Sequence, residues 1–207
     1  MTRSIDELNN LRRSVDPRKY FEEMGFTEEE IEERLEFTEK ANSIFDLILV
    51  IILLSADRDE AFYKGLKDDL ETQYLSLIND YAEPDDYLIQ YAMDFSENFV
   101  GATKDHIDEE WYTSADRSLF NAENSANDVL NYDEYKKAIA EGKTKKKWIT
   151  EKDSKVRKTH QLVDGKTIGI KEKFNVGEVE MRFPKDYEYA EAFPQETVNC
   201  RCRVKYL

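Results

Sequence analysis

The 207-residue chain is 40% hydrophobic and 36% charged, with a formal net charge of −15, enough length and apolar content for one or two domains with real cores, so global disorder is excluded. The charge is unevenly spread: residues 143–207 carry 16 Lys/Arg against 10 Asp/Glu, a net of +6, and residues 1–142 carry 14 against 35, a net of −21. An acidic region, 1–142, is therefore set against a basic module, 143–207, and a surface as acidic as the first does not coat nucleic acid or an anionic membrane.

From the amino terminus, Ile5, Leu8, Leu11 and Val15 recur at helical steps until Asp16-Pro17. No apolar signal-peptide core precedes them, so synthesis in a cytoplasm is the expectation. Thr27 stands three residues before Glu30, the spacing of a capping box, and predicts a helix start. Its apolar face continues through Ile31, Leu35, Phe45, Leu49 and Ile52, so the helix should reach about Ser55. The longest apolar run, Ile44–Leu54, contains Asp46 and is about half the roughly 20 residues that cross a bilayer. A second long helix is predicted through Ala61, Leu66, Leu70, Leu77, Ile78 and Tyr81, ending by Pro84. A third runs through Leu88, Tyr91, Phe95 and Phe99 to about Gly101, packed antiparallel to the second. Residues 107–139, with Trp111, Leu119, Phe120, Val129, Leu130 and Tyr135, also read as helix, with a break at Asn131-Tyr132-Asp133.

After Gly142 the pattern changes. Lys143, Lys145, Lys146 and Lys147 form a basic run ahead of Trp148-Ile149, followed by a short helix that Thr150 and Asp153 can cap, with Val156, His160 and Val163 on one face. Asp164-Gly165 predicts a turn; residues 167–170 and 179–183 predict strands. Val198, Cys200, Cys202, Val204 and Tyr206 alternate with Asn199, Arg201, Arg203 and Lys205, which predicts a strand with one buried and one basic face. The fold class is therefore α+β: long, bundle-like N-terminal helices, then a small C-terminal α+β domain with short antiparallel strands.

His160, Cys200 and Cys202 are the candidate metal ligands, since zinc favours imidazole and thiolate. A structural site needs four ligands, so Asp153 or Asp164 would have to complete it, and a one-residue cysteine spacing is not the usual knuckle. The competing reading makes both thiols small buried hydrophobes packed on the His160 helix. Apart from zinc, no cofactor is expected. Lys145, Lys146 and Lys147 beside Trp148, extended by Arg157, Arg201 and Arg203, are candidate phosphate contacts; the competing reading is a solvated linker. There is no Gly-rich phosphate loop, GxSxG or HExxH, and acidic pairs such as Glu109-Glu110 arise by chance among 45 carboxylates, so no catalytic residue is assigned.

The ordered residues Trp148, Thr150, Asp153, Arg157, His160, Gly165, Phe174, Pro184, Asn199, Cys200, Arg201 and Cys202 closely resemble the signature of the phage Mu F-like minor head family. Asn124, Asn127 and Asn131-Tyr132-Asp133 resemble its approach, so the likeness covers about residues 115–207. The resemblance implies a non-enzymatic head-morphogenesis protein in the capsid interior of a tailed phage or prophage, assembled in the host cytoplasm. It implies contacts with the portal, scaffold or major capsid protein, contact with packaged double-stranded DNA through the basic module, and no membrane partner. Some relatives extend into a toxin or nuclease domain; with five residues after Cys202, none is expected here. The alternative of a different class is a DNA-end-binding or nucleic-acid-processing protein using His160, Cys200 and Cys202 with Asp153 and Arg157.

Overall fold

Thr27 opens the longest helix as its spacing predicts: its backbone N–H donates to Glu30 Oε2 at 2.7 Å, and Glu30 N–H returns to Thr27 Oγ1 at 3.4 Å. The computed structural model describes residues 16–190 and 193–207; the helix expected over Ile5–Val15 lies outside them. Asp16-Pro17 begins a helix, since Asp16 Oδ1 accepts from Arg18 N–H at 2.9 Å and Pro17 takes the first turn, where no amide is needed. The helices are α1 (Pro17–Glu22), α2 (Glu28–Leu54), α3 (Glu60–Asn79), α4 (Asp86–Asp105) and α5 (Ala115–Ala140), with a 3-10 turn at Glu110–Thr113. The described fold is α+β, as expected.

Two compact units divide the described residues: one joins those from 16 to Arg34 with Asn127–Leu207, and the other is Leu35–Ala126. The compositional change at 142/143 instead marks where helix gives way to strand. Arg34 explains why the first unit reaches back to the amino-terminal segment. Its buried guanidinium donates to Asn127 Oδ1 (3.2 Å), Asn131 Oδ1 (3.2 Å) and Glu134 Oε1 (2.7 Å), and lies 3.7 Å over the Phe26 ring. Five-donor guanidinium chemistry suits such a buried seam.

In the Leu35–Ala126 unit, Phe45, Tyr74, Phe95 and Phe99 form an aromatic cluster with centroids 4.7 to 5.7 Å apart along its successive contacts. Glu60 at the start of α3 pairs with Lys104 at the end of α4 (2.5 Å), and Lys67 with Glu97 (3.4 Å), so the two helices are antiparallel. Contrary to expectation, α4 continues past Gly101. A helical glycine costs only about 1 kcal/mol, and Arg117 holds the last turn by donating to Phe99 C=O (3.1 Å) and Thr103 Oγ1 (2.6 Å).

The break expected at Asn131-Tyr132-Asp133 is absent, and α5 runs through it. Asn131 binds Arg34 and donates to Pro184 C=O (3.2 Å), the rings of Tyr132 and Tyr135 lie tilted against Phe183, and Asp133 pairs with Lys137 one turn on.

The basic run is not a linker but leads into a strand, with Lys143 and Lys145 exposed, Lys147 half-buried and Lys146 buried. Lys145–Ile149 is β1, the centre of an antiparallel sheet ordered β2 (Thr167–Gly169), β1, β5 (Arg203–Tyr206). Alternation along β1 buries Lys146 and Trp148. A second sheet is the hairpin of β3 (Phe174–Val176), unforeseen from the sequence, and β4 (Val179–Met181), turned at Gly177 with φ +63°. Short helices α6 (Lys158–Gln161), α7 (Tyr187–Ala190) and α8 (Pro194–Thr197) complete the module. The nine-residue strand expected from Val198 is shortened to β5, because Asn199 adopts φ +55° and turns the chain after α8.

Candidate functional site

The module's core joins Trp148, Val163, Phe174, Val176, Val179 and Met181 to Cys200 and Cys202. His160, on α6, enters this core with 1% exposure and meets Trp148 edge to face at 5.9 Å. Its Nδ1 lies 3.2 Å from Cys202 Sγ and 3.5 Å from Cys200 Sγ. Nδ1 and the two sulfurs all lie within 4.8 Å of one another. Both cysteines are free thiols. Although Cys200 and Cys202 precede β5, the alternation that suggested a strand still buries both, with Arg201 between them paired to Asp153.

Glu196 brings a carboxyl group to this cluster. Its Oε2 is 3.0 Å from His160 Nε2 and accepts from Thr159 Oγ1 at 2.8 Å. A neutral ring that donates Nε2–H to this carboxylate presents its Nδ1 lone pair to the sulfurs. The hydrogen bond from Cys202 holds Cys200 well below an ordinary thiol, and the same bond with burial pushes Cys202 up. Burial opposes the imidazolium, but the neighbouring Cys200 sulfur outweighs it and raises His160. Cys202 also meets the Trp148 indole, which favours its ionised form.

Neither aspartate expected to complete a ligand set joins this cluster. Asp164 Oδ1 accepts from Thr150 N–H at 2.9 Å across the turn at Gly165, whose φ is +74°. Asp153 accepts from Lys155 and Val156 N–H and from Arg201 Nη2, at 2.7 Å to each oxygen. The Arg201 guanidinium holds its carboxyl below the usual range. Thr150 and Asp153 therefore brace loops and do not cap α6, whose N-cap is Arg157. Glu196 was the functional residue missed; no periodicity or motif marks it, and only the folded chain brings it to His160.

The candidate phosphate contacts do not converge on one open face. Lys145 is exposed and Lys147 half-buried. Lys146 is fully buried, with its ammonium 5.1 Å from the Tyr135 centroid and 5.5 Å from that of Phe174, and no hydrogen-bond partner among the described residues. Arg157 donates to Val198 C=O, Arg201 pairs with Asp153 and Glu23, and Arg203 lies beside Gly25. Of these six cations Arg201 is held in ion pairs and Lys146 is shut away from solvent, which leaves Lys145 as the exposed one.

A thiol, an imidazole and a carboxylate in sequence have the order of a nucleophile, base and orienting group. Here they sit inside a packed core: Cys200, Cys202 and His160 expose 3% or less. The remaining signature residues have structural roles too, as Phe174 packs on Trp148 at 5.1 Å and Pro184 C=O receives Asn131.

Fold and site define an α+β protein with a helical unit and a small module closed around a buried imidazole and two thiols. The chain belongs to the family described as phage Mu protein F like, whose model matches residues 95–205, just over half its length; this is a phage head-morphogenesis family. The chain is also similar to an NAD(+)–arginine ADP-ribosyltransferase of Enterococcus faecalis, at 38% identity over 58 residues. That segment is 28% of this chain and 11% of the relative, so the chain spans about a tenth of that protein's length. No solved structure matches it. Among the described residues, no helix is long and apolar enough to cross a membrane.

Proposed function

We propose that the protein is a minor structural component of a phage head, located in the capsid interior, that joins assembling particles through protein contacts and catalyses no reaction. Family membership over residues 95–205 carries this reading. The second half of α2 supports it. Phe45, Ile48, Leu49 and Ile52 are buried, while Leu47, Val50, Ile51 and Leu54 line the other side at helical spacing and are 38 to 81% exposed. A helix apolar on all sides is ordinarily covered all round, and the uncovered stripe suits another protein of the head, the portal or the capsid and scaffold proteins around it. The acidity of residues 1–142 favours protein over DNA at that unit. Contact with packaged DNA falls to exposed lysines such as Lys143 and Lys145. The short likeness to an ADP-ribosyltransferase does not bring that activity to this chain, because it spans so little of that protein.

The test is co-purification of the tagged chain with the portal protein from phage-producing cells, with mass spectrometry of gradient-purified particles. Substoichiometric presence in procapsids or virions is the expected result. Absence from every particle overturns the role.

A further inference from the structure

The buried cluster of His160, Cys200 and Cys202 has the dimensions of a metal site. A tetrahedral zinc ion with Zn–S of about 2.3 Å and Zn–N of about 2.0–2.1 Å holds sulfur and nitrogen about 3.5 Å apart. The observed Nδ1 to Sγ separations are 3.2 and 3.5 Å. A metal-binding imidazole characteristically donates its other ring N–H to a carboxylate, which fixes the tautomer. Glu196 stands there, 3.0 Å from Nε2, and is itself held by Thr159. Space for that carboxylate is specific: at Gly177, with φ +63°, an added Cβ would fall 2.5 Å from Glu196 Oε1. The buried indole of Trp148 already meets Cys202, and a metal-bound thiolate there would give its N–H an anionic acceptor.

We propose that His160 Nδ1 and the sulfurs of Cys200 and Cys202 bind zinc or a similar thiophilic divalent cation, with Glu196 orienting the imidazole from the second shell of contacts. Three protein donors leave one tetrahedral position for water. Binding releases thiol protons to solvent, so two thiolates balance the charge of the ion. The ion cross-links α6 to the segment after α8, residues about 40 apart, and so fastens the end of the chain into the module. This site does not depend on the proposed role in head assembly.

The experiment uses the full chain, purified under reducing conditions without a metal-affinity step. The expected result is one zinc per chain by elemental mass spectrometry. Cobalt titration should give a thiolate-to-cobalt charge-transfer band with tetrahedral d–d absorption. Glu196→Gln should weaken zinc affinity about 10- to 100-fold, and the Cys200→Ser, Cys202→Ser double variant should lose the cobalt charge-transfer band. Zinc binding by the wild type no tighter than by the double variant, or persistence of the band in that variant, overturns the proposal. Should the double variant fail to fold, the wild type decides alone. Zinc must then protect both cysteines from alkylation under native conditions and a chelator must restore it; rates indifferent to zinc overturn the site.

Discussion

Replacing Lys146 with Met should make the protein more stable at neutral pH. The substitution keeps a long unbranched side chain in the same channel and removes an ammonium buried without a hydrogen bond. Burial lowers this lysine from 10.5 to about 8, with Asp186 and Glu172 opposing the shift and Arg182 assisting it. At about 1.4 kcal/mol per tenfold change, that displacement corresponds to about 3 kcal/mol lost to burying the charge. Contacts of the ammonium with the Tyr135 and Phe174 rings return about 0.5–1 kcal/mol each. The net gain expected for Lys146→Met is therefore about 1–2 kcal/mol near pH 7. Below pH 8 both folded and unfolded wild type carry the proton and the penalty is complete. From pH 8 toward 10.5 the unfolded chain binds more protons than the folded one, so wild-type stability gains relative to the variant and the difference shrinks. Urea denaturation of both proteins at intervals from pH 7 to 10 measures this directly. A variant less stable at pH 7, with a difference constant across the series, would refute the reasoning.

Trp148→Ala should cost about 3–5 kcal/mol by emptying the module's core, seen as a large loss in Tm. Arg34→Ala removes the donor shared by Asn127 Oδ1, Asn131 Oδ1 and Glu134 and should cost about 3–5 kcal/mol, whereas Arg34→Met combined with Glu134→Leu should recover much of it in chemical denaturation. Gly177→Ala forces an L side chain to φ +63° against Glu196 and should cost about 1–3 kcal/mol, with greater access of an alkylating reagent to the thiols. Leu54→Glu, on the exposed stripe, should change monomer stability by no more than about 0.5 kcal/mol while reducing recovery in purified particles. Unaltered recovery would remove that stripe from the assembly contact.

Local signals were readable in the sequence where the partner of a residue lies within a few positions. Thr27 and Glu30 announced their helix start because both members of the box are three residues apart, and the long helices followed from their apolar spacing. Asn131 misled for the converse reason: a polar residue beside Tyr132 and Asp133 resembles a break until Arg34 and the Pro184 carbonyl come to meet it from far along the chain. Lysine at 146 read as solvent-facing, since nothing local shows that alternation on a central strand points it at Tyr135 and Phe174. The thiols and His160 were recognisable as a cluster by residue type, and their burial by alternation, but Glu196 had no pattern and the turn at Asn199 had no glycine to mark it. The ordered signature residues were legible as a set; why each is needed emerges from contacts such as those of Phe174, Asp153 and Thr150.

Arg34 finds its acceptors 93 to 100 positions later in the chain, with the whole of Leu35–Ala126 lying between. A ribosome therefore delivers the intervening helices as one uninterrupted stretch before the first unit possesses its second half, and closing so long a loop is slow. The helical unit can mature early, whereas Arg34 must wait for the chain beyond Ala126. During synthesis the order of completion is set from the inside outward, and the exposed stripe of α2 is presented before the module that holds the thiols has closed.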